Sequence, residues 1–325
     1  MPDSGFLSAL AVLVLMGAAL VALTAGISHR AAKRIPPLGR WVDLPTARLH
    51  VVERAGPQGS TALPLILIHG LGGQLRHFSY QLIDELAASH PVIAFDRPGS
   101  GYSTWKTRAR STLSDQVDLV VALASHLGVQ RFIVVGHSLG GALAIGVALK
   151  HRERVAGLAL LAPLTRLPAD VPTGLAPVLR QADWGWRALA WSWAIPVARL
   201  RRSHWLRGIF FPDRVPADFA IRGGGDLVLR PSHVLGAARD ALDIPEWLSS
   251  LVPLYPTLSG PASLPIGVLY GRQDRVLSAV EQGERFAQEL AQVDLQQIDA
   301  GHMLPLIWPD ECARLIRRVA AAAGT

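Results

Sequence analysis

Apolar residues along this chain fall into runs of different length and spacing, and each kind of run predicts a different element. From Phe6 to Ile27 there is no charged side chain and no polar face. At about 1.5 Å per residue such a stretch crosses the roughly 30 Å hydrocarbon core of a bilayer, so a membrane-spanning helix is predicted over 6–27. A cleaved signal peptide would carry a basic leader and a shorter apolar run, whereas the only charge ahead of this one is Asp3. Short continuous apolar runs come next: Leu65–Ile68, Val92–Phe95, Phe132–Val135, Val155–Leu161 and Ile266–Tyr270. Runs of that kind are strands buried on both faces. Arg48–Glu53 and Val293–Ile298 read as two further strands. Between them lie helical spacings: Phe78–Ser89; Val117, Val120, Val121, Ala124 and Leu127, closed by Gly128; a small-residue stretch through Ala142, Ala144, Gly146 and Ala148; Ala279–Leu290; and Glu311–Ala322.

Strands alternating with helices imply an α/β fold, a mostly parallel sheet with helices on both faces. The alternation stops at Pro163 and resumes at Ile266. The intervening text has short helical stretches and no buried-strand runs, which predicts a helical cap over the sheet's C-terminal edge, where open α/β sheets bind ligands. The expected organisation is an anchor at 6–27, a linker at 28–40, a core at 41–162, the cap at 163–262 and a second part of the core at 263–325. Ile35-Pro36-Pro37-Leu38-Gly39 makes the linker short and stiff.

Composition narrows the picture in a few places. A length of 325 residues suits one large domain with an insertion, or two domains. The formal charge of +7 is carried by scattered arginines, with Lys33, Lys106 and Lys150 the only lysines, so no nucleic-acid partner is read from it. Arg30, Lys33, Arg34 and Arg40 follow the apolar span; by the positive-inside rule the main body then faces the cytoplasm. Cys312 is the only cysteine, so no intrachain disulfide can form. Dispersed histidines show no zinc-ligand spacing, and neither a metal nor an organic cofactor is expected.

The candidate chemistry begins where the run Phe132–Val135 meets Gly136-His137-Ser138-Leu139-Gly140. Strand, sharp turn and helix put a serine at the apex, and the flanking glycines let neighbouring chain approach without Cβ clashes. The turn lifts the Ser138 hydroxyl clear of the sheet and aims the N–H of Leu139 at an anion forming there. A serine nucleophile needs a base, and the base needs a partner that holds its tautomer. His302 follows the last strand directly, and Asp274 lies just beyond the strand before it. Asp299 is nearer in sequence but shares a loop with His302 and would have to fold back, so Asp274 is preferred. The glycine loop His69-Gly70-Leu71-Gly72-Gly73 offers a second donor, the N–H of Leu71. His69 reads as structural or catalytic, and His137 as a packing residue.

Together His69-Gly70, Asp96-Arg97-Pro98-Gly99-Ser100-Gly101, the Ser138 turn, Asp274 and His302 resemble the α/β-hydrolase fold superfamily, over roughly 41–162 and 263–325. The order Ser138, Asp274, His302 is the order such a sheet carries. The resemblance implies a serine-nucleophile, esterase- or lipase-like member with a helical lid, and a structural Asp96 that shapes the sheet edge. Relatives that open epoxides or remove halogens use an aspartate where Ser138 stands. The expected reaction is cleavage of a carboxylic ester through an acyl-enzyme, with Leu71 and Leu139 holding the oxyanion. A C–C bond or amide hydrolase, and a non-catalytic binding protein on the same scaffold, stay open. In the cap, Trp184, Trp186, Trp191, Trp193, Trp205 and Trp247 are interleaved with Arg180, Arg187, Arg199, Arg201, Arg202 and Arg207. That mixture suits either a membrane interface or a cap packed by its tryptophans, and with the anchor it favours a lipophilic ester or acyl-lipid substrate.

Overall fold

A computed structural model of the chain describes residues 4–107, 112–168, 183–259 and 264–324. The strands are β1 (Arg40–Asp43), β2 (Ala47–Arg54), β3 (Leu65–Ile68), β4 (Val92–Phe95), β5 (Thr104–Trp105), β6 (Phe132–His137), β7 (Val155–Leu161), β8 (Ile266–Gly271) and β9 (Val293–Ile298). They form one sheet in the order β1-β2-β4-β3-β6-β7-β8-β9, with β5 paired to β2. The pairs from β4 through β9 are parallel, while β2 joins β4, β1 and β5 antiparallel. Every residue of β3, β4, β6, β7 and β8 is buried, which is why these strands read as unbroken apolar runs. By contrast β1 and β5 are short and half exposed, and left no such run in the sequence.

Helices cover the sheet. α1 (Ser4–Arg34) precedes it, and α2 (Arg76–Ser79) and α3 (Leu82–Ala87) follow β3. The single helix expected over Phe78–Ser89 is therefore two, because Gln81 leaves the helical region at φ −153°. Next come α4 (Leu113–His126), capped by Thr112 and Asp115, and α5 (Leu139–Lys150), buried along most of its length. After β7 the insertion supplies α6 (Asp183–Leu189), a π-helical stretch Ala190–Ala194, α7 (Ile195–Phe210) and α8 (Pro231–Leu251). The stretch expected as Ala279–Leu290 opens as a π-helix and ends in α9 (Arg285–Glu289). α10 (Leu304–Ile307) and α11 (Pro309–Ala322) close the chain, and α11 buries Cys312, Leu315, Ile316 and Val319 at helical spacing. Residues 169–182 and 260–263, with Arg180, lie outside the described residues.

One expectation needs correction. Residues 28–34 belong to α1 rather than to a linker. Thr24, Ile27, Ala31 and Ile35 are buried at helical spacing, so one face of this segment is packed rather than solvated. Ile27 meets Ile195 and Leu229, and the Thr24 hydroxyl donates to the Ser192 carbonyl at 3.2 Å. The residues that follow are pinned as well: Leu38 and Gly39 N–H both reach His50 Nε2 at 3.1 Å, and Arg76 donates to Pro36 O at 2.5 Å. N-terminal to Thr24 the helix is uncovered, and it is long and apolar enough to cross a membrane.

Candidate active site

β6 hands the chain to α5 through Ser138, which sits at φ 56°, ψ −122°. Non-glycine residues avoid positive φ, so the surroundings must hold this conformation. Ser138 N donates to Leu161 O at 3.0 Å, and its carbonyl accepts from Gly141 N at 2.8 Å and Leu164 N at 3.0 Å. The turn leaves no room for side chains beside it. A Cβ on Gly136 would stand 2.3 Å from the Gly140 carbonyl oxygen, and one on Gly140 would stand 2.0 Å from that of Ile68. Leu139 opens the helix, where an N–H has no intrahelical acceptor.

His302 and Asp274 meet as their order along the sheet edge predicts. His302 Nδ1 lies 2.7 Å from Asp274 Oδ2, with both side chains buried. A carboxylate only accepts, which assigns the proton to Nδ1 and leaves a lone pair on Nε2. The other Asp274 oxygen accepts from Val276 N at 2.7 Å and Leu277 N at 2.9 Å, fixing the carboxylate plane. The loops after β8 and β9 are stitched by Gln273 N to Ala300 O at 3.0 Å. Asp299, the rejected alternative, is exposed and paired with Arg272 at 3.0 Å. His137 is a packing partner for the other imidazole: its Nε2 donates to the His302 carbonyl at 3.0 Å, and the two rings lie 4.9 Å apart.

The glycine loop is held from below and from above. His69 Nδ1 donates to Gly70 O at 2.9 Å, and its Nε2 accepts from Arg97 N at 2.9 Å, so His69 is structural. The buried Arg97 guanidinium donates to the carbonyls of His69 and Gly70, both at 3.0 Å, and to Gln116 Oε1 at 2.8 Å. It also pairs with Asp240 of α8 at 2.6 Å. Asp96 accepts from Leu75 N and Tyr102 N and contacts His50, the sheet-edge role that the resemblance implied. From the insertion, His233 Nε2 donates to Gly72 O at 3.0 Å while its Nδ1 accepts from Gly101 N, and Gln74 reaches Gly223 O at 2.7 Å. His233 and Asp240 went unread in the sequence, since both stand on an ordinary helix far along the chain from Gly72 and Arg97, the residues they hold.

Ser138, His302, Leu71 and Leu139 line one cavity of about 520 Å³ beneath the insertion. Its walls are mostly apolar and include Leu164, Leu206, Ile209, Phe210, Phe219 and Met303. Asp274 stands behind His302 rather than in the cavity. Of the tryptophans between β7 and β8, Trp247 is packed into the core, whereas Trp184, Trp191, Trp193 and Trp205 are exposed. Among the described residues no three His, Cys, Asp or Glu side chains gather as a metal site.

Four buried histidines around this cavity are held neutral, chiefly by burial. His77 and His233 are pushed down to about 4 from an ordinary 6.5, and His69 and His137 lie well below it. The unfolded chain therefore binds more protons than the folded one below the ordinary value, so stability falls on acidification. This contribution is complete above 6.5 and is lost as the pH drops toward 4. The melting temperature of the purified protein is expected to fall steadily across that window; a flat or rising profile would contradict it.

The alpha/beta hydrolase fold family model matches residues 64–307. The chain belongs to this family. Among its hydrolase-fold relatives, the dihydrolipoyllysine-residue acetyltransferase component of the acetoin cleaving system of Pseudomonas putida is 41% identical over 123 residues, covering 38% of this chain and 29% of that protein. The (lyso)-N-acylphosphatidylethanolamine lipase of Mus musculus is 31% identical over 129 residues, covering 39% of this chain and 37% of the lipase. The chain thus spans well under half the length of these curated relatives. Among solved hydrolase-fold structures, a bacterial membrane phospholipase A superposes with a TM-score of 0.65 at 23% identity, covering 99% of each chain.

Proposed function

We propose that this chain is a membrane-anchored serine hydrolase that cleaves a lipophilic carboxylic ester. The observation that carries the reading is a serine at positive φ sharing one cavity with an imidazole whose Nδ1 proton is fixed by a buried carboxylate. In the proposed cycle, His302 Nε2 takes the proton of Ser138 Oγ as the oxygen attacks the acyl carbon. The N–H groups of Leu71 and Leu139 stabilise the oxyanion, a contribution of roughly 3–4 kcal/mol per donor. His302 then protonates the leaving alcohol, and water repeats the sequence on the acyl-enzyme. The apolar cavity wall favours an acyl chain over a small polar group, as does the lipase name of the mouse relative. The packing of α1 against the insertion supports an anchor that stays with the domain, with the catalytic body on the cytoplasmic side.

A fluorophosphonate probe is expected to label the parent and leave Ser138→Ala unlabelled. On p-nitrophenyl esters from acetate to palmitate, kcat/KM is expected to peak among medium or long chains. Labelling that survives in the variant removes Ser138 as nucleophile, and a preference for acetate removes the lipophilic substrate.

A further inference from the structure

Where α1 leaves its apolar stretch it meets α7, and a second cavity of about 320 Å³ lies at the junction. The buried side chains Ile27, Ala31 and Leu229 line it on one side. Its exposed lining is basic: Arg30, Lys33 and Arg34 from α1, and Arg199 from α7. The single carboxylate there, Asp226, is committed to two guanidiniums, at 2.9 Å to Arg202 and 3.7 Å to Arg34. Asp226 offsets those two charges, and Arg30, Lys33 and Arg199 face the cavity with no other carboxylate in its lining. The α1 macrodipole accounts for cations in its last turn, Lys33 and Arg34, but not for Arg199 on a separate helix. Like charges gathered by two helices repel, and an anion between them relieves that repulsion.

The height of the cavity says which anion. Arg30 to Arg34 lie one to two turns beyond Ile27, about 5–10 Å along the helix axis from the end of the apolar stretch. That is headgroup depth in a bilayer spanned by α1. We propose that this cavity binds the phosphate group of an anionic phospholipid, whose acyl chains lie along the uncovered apolar surface of α1. The site rests on the anchor reading and is independent of the chemistry at Ser138.

The test uses the full-length chain. Membranes containing it are washed with alkaline carbonate, and the protein is then extracted in a mild non-ionic detergent. Bound lipid is counted by native mass spectrometry during titration with dioleoyl phosphatidylglycerol and, separately, with dioleoyl phosphatidylcholine. A preference of about tenfold for phosphatidylglycerol is expected, falling below about twofold in a combined Arg30→Gln, Lys33→Gln, Arg199→Gln variant. None of these three residues lines the site cavity, so lipid held beside Ser138 would not respond. Arg199→Glu alone, one exposed change, is expected to cut the preference about threefold or more and guards against misfolding of the combined variant. Equal occupancy by the two lipids, or a preference unchanged in both variants, overturns the site. Displacement of phosphatidylglycerol by glycerol 3-phosphate overturns the lipid as occupant in favour of a soluble phosphate ester. A chain released by carbonate overturns the anchor and this site together, whereas a chain that stays in the membrane without lipid preference overturns the site alone.

Discussion

Asp274→Asn is expected to lower kcat on an ester substrate by about four orders of magnitude while the melting temperature stays within a few degrees of the parent's. The two effects separate because the two carboxylate oxygens have different tasks. One accepts from the backbone N–H groups of Val276 and Leu277, and an amide oxygen can do the same. The other faces His302 Nδ1, and an amide NH₂ placed there donates instead of accepting. The imidazole then carries its proton on Nε2, where it cannot take one from Ser138. Asp299→Asn is the matched control. Its carboxylate is exposed and bonded to Arg272, so activity is expected to be unchanged. Equal losses in the two variants, measured as initial rates beside thermal melts, would remove Asp274 from the proposed machinery.

Arg97→Ala is expected to cost about 3–5 kcal/mol, enough to lower the melting temperature by roughly 10 °C. The guanidinium is buried and holds four acceptors: the carbonyls of His69 and Gly70, Gln116 and the Asp240 carboxylate. Removing it strands a buried carboxylate and frees two carbonyls of the glycine loop. If the stranded charge dominates, Arg97→Leu combined with Asp240→Leu recovers part of the loss, since an apolar pair has no ion to desolvate. A double variant that melts no higher than the single one would shift the weight onto the loop carbonyls. Either way kcat is expected to fall in step, because the loop that carries Leu71 loses its support.

What the sequence made legible were features written locally. The core strands are buried on both faces and so must be unbroken apolar runs; β3, β4 and β7 begin and end where those runs do. The serine turn declares itself through Gly136 and Gly140, positions where any Cβ would collide with backbone. His302 and Asp274 were readable because loops that follow neighbouring parallel strands converge at one edge. Pairings made across long separations were not legible. His233 grips Gly72, Asp240 pairs with Arg97, and Gln74 reaches Gly223, yet nothing in helix α8 or the glycine triplet at 223–225 distinguishes them from solvent-facing sequence. The Asp-Arg-Pro-Gly segment carried one usable hint, since an arginine next to a buried strand needs an acid to neutralise it. The seam of Thr24, Ile27, Ala31 and Ile35 was hidden for a different reason: it continues an apolar span that already had an explanation.

That seam governs how the molecule can be shortened. A version beginning after residue 34 would lose the helix that covers Ile195 and Leu229, the guanidinium of Arg34 beside Asp226, and the Ala32 carbonyl that receives the Tyr102 hydroxyl. Leu229 also lines the candidate site cavity, so the raw patch would open beside Ser138 and His302. A shortened form has to retain the turns from Thr24 onward and can trade only the exposed leucines and valines ahead of them for polar residues. The same helix that carries the long apolar span is, in its last turns, one wall of the domain.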